Sequence, residues 1–267
     1  MRRAFFAVLL AALVGASCTS APLTSLRNTG STPTTATSST TRPPSALDNL
    51  TAYFTAVANI DQRLKAAAAV ANGNIGATEI TVSKATLDII ATADPTPAAN
   101  DIPAGLPPDV MQPVLRVQRD LLSRFYAFRG FTVLVTEQGE PETILRSDER
   151  AAYLMSCLQN GSQPAASFAA DLAAAQAAAS HAPPVVAVDA SSRAAADLAL
   201  WLHYLVLANS GCMMCGDFRV TAIPAINWHH VAPLSPGGNS WDGDMAGILF
   251  TAQYTAGQGW AVQINAC

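Results

Sequence analysis

SSRAAADLALWLHYLVLANSGCMMCG, residues 191–216, decides the fold because its character changes partway along. Ser191 or Ser192 opens a helix, since a serine hydroxyl can accept from the free N–H groups of a first turn. Leu198, Trp201, Leu202, Leu205 and Val206 then recur at helical spacing. The strip is so heavily apolar that this helix is expected to be central. At Gly211 glycine, proline and aromatic residues become frequent, and alternation replaces helical spacing. Gly247 to Tyr254 and Trp260 to Ile264 alternate with period two around Thr255-Ala256-Gly257-Gln258-Gly259, which predicts a hairpin. The expected fold class is α+β: a mainly α-helical bundle over residues 45–210, followed by a small, disulfide-stapled C-terminal β-hairpin unit over 211–267.

Working back from this helix, the sequence predicts five more. Ser45 with Asp48 three residues on forms a capping pattern. Leu47, Leu50, Phe54, Val57, Ile60 and Leu64 give an apolar face that runs out at Asn72-Gly73. A shorter helix is expected from Thr78 to Ala93. Pro95 to Pro108 reads as either an ordered surface crossing or a mobile loop. Asp109 caps the next helix, whose apolar face carries Val110, Val114, Val117, Leu121, Phe125 and Phe128. Arg116, Arg119 and Arg124 are placed largely off that face, and Gly130 is its stop. Phe131 to Thr136 is β-branched enough for a strand, with a bent connector as the alternative. Ser147 or Asp148 opens a helix through Tyr153, Leu154 and Cys157 to Asn160-Gly161. An alanine-rich helix then runs from Ser162 and Pro164 to Ser180.

The first 44 residues have a different composition. Thr19 to Pro44 is rich in Ser, Thr and Pro and cannot bury enough apolar area to order itself, so residues 18–44 are expected to form a disordered tether. Before it, Arg2 and Arg3 precede an apolar run from Ala4 to Ala16, too short for a comfortable membrane span and of export-signal length. Residues 1–17 are therefore expected to be a signal peptide. Its end, Leu13-Val14-Gly15-Ala16-Ser17-Cys18, resembles the lipobox of bacterial cell-envelope lipoproteins, in which small residues precede the cysteine that receives the lipid. Gly15 stands where that family usually carries leucine. The resemblance implies acylation of Cys18, attachment to the membrane on its extracytoplasmic face and no further domain identity. The rival is ordinary cleavage after Ala21, which would remove Cys18 and leave the protein secreted.

Composition narrows the partners. The formal charge is −4, and losing Arg2 and Arg3 with the leader makes the remainder more acidic. Such a chain carries no electrostatic footprint for nucleic acid and no basic patch for anionic lipid. Half of the residues are apolar, enough to build a sizeable core. Lys65 and Lys84 are the only lysines among many arginines and alanines, which points to a high-GC genome such as an actinobacterium's.

Cys157, Cys212, Cys215 and Cys267 remain once Cys18 is set apart, an even number suited to pairing in an oxidising compartment. Cys212-Met213-Met214-Cys215 could be a redox dithiol, but it follows a helix instead of opening one, so no helix N-terminus stabilises a thiolate. The favoured reading ties the two cysteines to Cys157 and Cys267 in one of two long-range pairings. A zinc or copper set from Cys212 and Cys215 with His229, His230 or His203 is a third reading. Against it, exported thiols are usually oxidised, and adjacent histidines on an extended strand point to opposite sides. Asn239 to Asp244 places carboxylates in what reads as a turn, either as a calcium loop or as Asx-turns. Trp228, Trp241 and Trp260 could line a ligand surface or form a small core.

No phosphate loop, nucleophile elbow, zinc-protease helix or dinucleotide fingerprint is present in the sequence. Asp148-Glu149 reads as charge favourable to a helix N-terminus. The functional expectation is a lipid-anchored envelope protein that binds a partner or ligand without catalysis or cofactor. The alternatives are thiol redox chemistry and Cys/His metal binding.

Overall fold

The computed structural model describes residues 45–75, 79–81, 84–135, 143–145, 156, 157, 159, 161, 167–210, 223–234, 238–245 and 247–264. The described residues belong to one compact unit that runs from Arg42 to Cys267. Among the elements whose span is described, six helices are followed by a four-stranded antiparallel sheet, an α+β architecture. The expected residues Cys18, Cys212, Cys215 and Cys267, the Met1 to Pro44 segment and Asp148-Glu149 all lie outside the described set.

Helix α1 (Ala46–Asn49) opens on the expected cap: the Ser45 hydroxyl accepts from the Asp48 amide, and the Asp48 carboxylate accepts from the Ser45 amide. The single long helix expected here breaks at Leu50, and α2 (Thr51–Ile75) runs past Asn72-Gly73. Leu50, Phe54, Val57, Ile60 and Leu64 are buried as the spacing predicts, together with Tyr53. The Tyr53 hydroxyl donates to Val114 O and lies equally close to Gln118 Oε1, both at 3.3 Å. The Gln118 amide in turn donates to Pro95 O at 2.8 Å. This buried polar chain fastens α2 to the helix that begins at Pro108 and to the proline-rich passage, each group finding the partner that burial demands. That passage is an ordered crossing with a 3-10 turn at Pro97–Asp101, and it buries Ala98, Ala99, Ile102 and Leu106.

Residues Thr78 to Ala93 are not one helix. Glu79–Thr81 forms strand β1 and α3 spans Lys84–Ala91. β1 pairs antiparallel with β2 (Thr143–Leu145), Ile80 opposite Ile144. Three-residue strands are too short to show alternation, so neither was legible.

Helix α4 (Pro108–Val135) passes through Gly130, and the expected strand at Phe131 is helix as far as Val135. One glycine costs about 1 kcal/mol in a helix interior, while extending an existing helix needs no new nucleus. α4 packs against α2, α3 and the two later helices that begin at Phe168 and Arg193, and is buried nearly all round. Of the arginines expected off its apolar face, Arg119 and Arg124 are drawn in with it, while Arg116 stays partly exposed. Arg124 is buried and pairs with Asp61 of α2 at 2.7 Å, its guanidinium resting over the Phe168 ring. Arg119 lies 2.8 Å from Asp120, which also accepts from the Ser167 hydroxyl at 2.8 Å. Arg116 bonds Asp171 in the first turn of the next helix at 2.8 Å. Buried charges persist only when paired in this way.

Helix α5 (Phe168–His181) begins after Ser167, later than expected, and ends one residue past Ser180. Helix α6 (Arg193–Ser210) follows the predicted span. Its Leu198 and Leu205 enter the core of the bundle, while Leu200 enters a second core with Met245 and Phe250 of the sheet.

The sheet runs in sequence order: β3 (Ile226–Leu234), β4 (Gly238–Met245), β5 (Ile248–Thr255) and β6 (Gly259–Ile264). The expected hairpin is β5–β6, with Thr255 opposite Gly259. The expected turn at Asn239 to Asp244 is instead strand β4, which replaces both the calcium-loop and the Asx-turn readings. Trp241, Gly243 and Met245 face inward in register with Ala252, Phe250 and Ile248. Gly243 is required by close approach: a Cβ there would lie 2.3 Å from Asn227 O and 2.7 Å from the Phe250 ring. Gly243→Ala is therefore expected to destabilise the protein by about 1–3 kcal/mol, as overpacking does. Urea denaturation checks this, and an unchanged midpoint would contradict it.

Candidate functional site

The inner face of the sheet is an aromatic row. Phe250 and Trp228 meet edge to face at 5.1 Å, Trp228 and Trp241 do the same at 5.1 Å, and Trp241 contacts Trp260 at 4.7 Å. Tyr254 continues the row beside Trp260. The indole groups fix the sheet in place. Trp228 Nε1 donates to Asp197 Oδ1 at 2.9 Å, and Arg193 sits over the Trp228 ring at 5.1 Å. Trp260 Nε1 donates to Ala190 O at 2.7 Å, and Trp201 Nε1 of α6 donates to Pro224 O at 3.0 Å. Buried Trp241 Nε1 has no hydrogen-bond acceptor among the described residues. Of the two readings open for these tryptophans, the core is the one the geometry favours.

The outer face carries the polar chemistry. Asp244 on β4 stands opposite Asn227 on β3. Asn227 Nδ2 donates to Asp244 Oδ1 at 3.1 Å, and His229 Nε2 lies 2.7 Å from Asp244 Oδ2. The hydrogen bond from Asn227 is the main reason the Asp244 carboxyl is held below its ordinary range. Partial desolvation opposes it, while the bond and charge of His229 and the Gly247 amide add to it. The imidazole of His229 is exposed, and with Nε2 engaged its Nδ1 is the nitrogen left for another partner.

A β-bulge explains why His229 reaches Asp244. Trp228 pairs with Gly243 and His230 with Asp242, so His229 is an extra residue in β3. Residues directly opposite each other in an antiparallel pair share a face. The register therefore puts position 230 on the face of Asp242, while the contact with Asp244 puts His229 on that same face. The expectation that the adjacent histidines diverge turns on His230 as well, whose side chain lies outside the described residues. Nothing in the sequence signals a bulge at this point.

The other candidates are dispersed. His203 is half-buried on α6, where desolvation pushes its imidazole below the ordinary value. Cys157 is fully buried in the bundle core and disulfide-bonded, its partner lying outside the described residues. Among the described residues no three His, Cys, Asp or Glu side chains converge to hold a metal ion. No described helix is long and apolar enough to cross a membrane.

The depressed Asp244 pKa gives a pH prediction with a definite sign. Its contribution to stability is fully present above the ordinary aspartate value and is lost as pH falls through the lower folded value. Carboxyl NMR should show Asp244 titrating below ordinary aspartates, and Asn227→Ala should move it upward. An ordinary midpoint in the unmodified chain would contradict this assignment. No protein-family model, curated protein or solved structure matches the chain.

Proposed function

We propose that this chain is an exported cell-envelope protein, anchored by lipid on Cys18, whose folded domain binds a partner protein or envelope ligand without catalysing a reaction. The observation that carries the reading is the order of its N-terminal features. A basic pair, an apolar run, small residues before Cys18 and a Ser/Thr/Pro-rich spacer follow one another as in bacterial lipoproteins. Several acyl chains on one cysteine would hold a membrane stably where a single chain would not. The spacer would then hold the folded unit away from the bilayer. Cysteine usage supports an oxidising compartment, since Cys157 is disulfide-bonded. Cys18→Ala is expected to move the protein from the membrane fraction to the soluble fraction or medium. Retention in the membrane after that substitution would overturn the anchor.

The remaining cysteines fit a structural role in the same reading. Cys157 shares a core with Leu205, close to the C-terminal end of α6, and Cys212 follows that end by two residues. Cys267 lies three residues beyond β6. A bond from Cys157 to Cys212 or Cys215, with Cys267 taking the other, would staple bundle to sheet. Long loops closed in this way stabilise by about 2–4 kcal/mol each. The Cys212-Met213-Met214-Cys215 spacing is what favours the second reading, a redox dithiol. Non-reducing peptide mapping distinguishes the two. Long-range pairs and a markedly lower melting temperature on reduction are expected, whereas a readily reduced Cys212–Cys215 bond with thiol-exchange activity would promote the redox reading.

A further inference from the structure

We infer that the free edge of β6 is a pairing surface for a second copy of this chain, the two β6 strands meeting antiparallel about a two-fold axis at Val262. The sheet order leaves β3 and β6 at its two edges, and these edges are built differently. β3 is guarded by features that discourage edge-to-edge pairing: a bulge at His229, Pro233 within the strand and an exposed imidazole. β6 lacks such guards. Its register with β5 is regular from the Thr255–Gly259 pair to the Phe250–Ile264 pair, and no charged residue or proline occurs from Ile248 to Ile264. Among the described residues no strand and no backbone hydrogen bond engages its other side. A row of unpaired N–H and C=O groups is a template for another strand.

The pattern along β6 selects the second copy. Gly259 has a positive φ and belongs to the turn, so the extended part is Trp260–Ile264, with Val262 at its centre. Each face of an antiparallel pair stays continuous only when directly opposed residues come from the same face. Pairing centred on Val262 meets that condition. Trp260 stands opposite the partner's Ile264 on the inner face, and Ala261 opposite the partner's Gln263 on the outer. Val262 and Ile264 pack on the side of Leu200, while Ala261 and Gln263 are exposed. No like charges meet at the joint. Asp242 and Asp244 lie on β4, so β5 and β6 of both copies separate them from their counterparts. At the ordinary strand spacing that is about 24 Å, well beyond the screening length in physiological salt. An extended peptide from another protein would satisfy the same backbone groups, but the match of β6 against itself on both faces favours self-pairing. An edge this short buries little area, so the dimer is expected to be weak and reversible.

The test follows the full chain carrying Cys18→Ala by sedimentation equilibrium over a range of concentrations, with non-reducing gels to identify cross-linked pairs. A reversible monomer–dimer equilibrium is expected. Ala261→Lys with Gln263→Lys sets like charges opposite each other across the joint and should weaken association by roughly tenfold or more. Ala261→Lys with Gln263→Glu sets opposite charges there instead and should restore it. Ala225→Lys, beside the other edge, should leave it unchanged. All three positions are exposed, and melting curves confirm folding. Hydrogen exchange gives a readout that needs none of these variants: the β6 amides should exchange more slowly as concentration rises. A chain monomeric at every concentration, a dimer that exists only as a cross-linked pair, or one that survives the paired lysines would each overturn the pairing. So would a failure of the Lys–Glu combination to restore association, or equal loss through Ala225→Lys. Because Cys18 is replaced throughout, a failure here leaves the anchoring reading untouched.

Discussion

Helix α6 is shared between two hydrophobic cores, and the rest of the structure depends on that sharing. Leu198 and Leu205 belong to the bundle, Leu200 belongs to the sheet, and Trp201 packs against both. A helix can serve two cores when its apolar surface is wide enough to divide, and the strip along Arg193–Ser210 is that wide. The sheet is held to this helix by directional bonds as well as by burial: Trp228 to Asp197, Trp201 to Pro224, and Trp260 to the Ala190 carbonyl just before α6. With its inner face consumed in this way, the outer face carrying Asn227, His229 and Asp244 is left for other partners.

The bundle meets a different constraint, the cost of charge in its interior. α4 is so enclosed that Arg124, Asp120 and most of Arg119 are removed from water. Each has an opposite charge or hydroxyl in place, from Asp61, Ser167 and within α4 itself. Unpaired, any one of them would cost several kcal/mol. These pairs also fix which side of α2 and α5 meets α4, because a rotated helix would strand a charge.

What could be read in the sequence was what repeats. The strip of α6, the face of α2 and the alternation of β5 and β6 each extend over several residues, so their periods stand out against composition. The Ser45–Asp48 cap was legible because its two side chains act within four residues of each other. Strand β4 was hidden by Gly238, Asn239, Asp242, Gly243 and Asp244, residues of low β propensity, of which Gly243 is required by the close approach of the Asn227 carbonyl and the Phe250 ring. The Asp61–Arg124 pair and the bulge at His229 are products of tertiary packing and register, and neither has a local signature. For that reason His229 was recognised as a candidate but its contact with Asp244 was not.

If α6 binds the helices and the sheet into one body, the two halves must unfold together. The molecule supplies its own reporters: all four tryptophans, Trp201, Trp228, Trp241 and Trp260, lie in α6 or the sheet, while far-ultraviolet ellipticity at the helical band follows chiefly the bundle. Urea unfolding followed simultaneously by tryptophan fluorescence and by ellipticity is the direct measurement. Coincident transitions with a single midpoint are predicted. A fluorescence transition well separated from the loss of helix would show that the sheet folds on its own terms and would contradict the account.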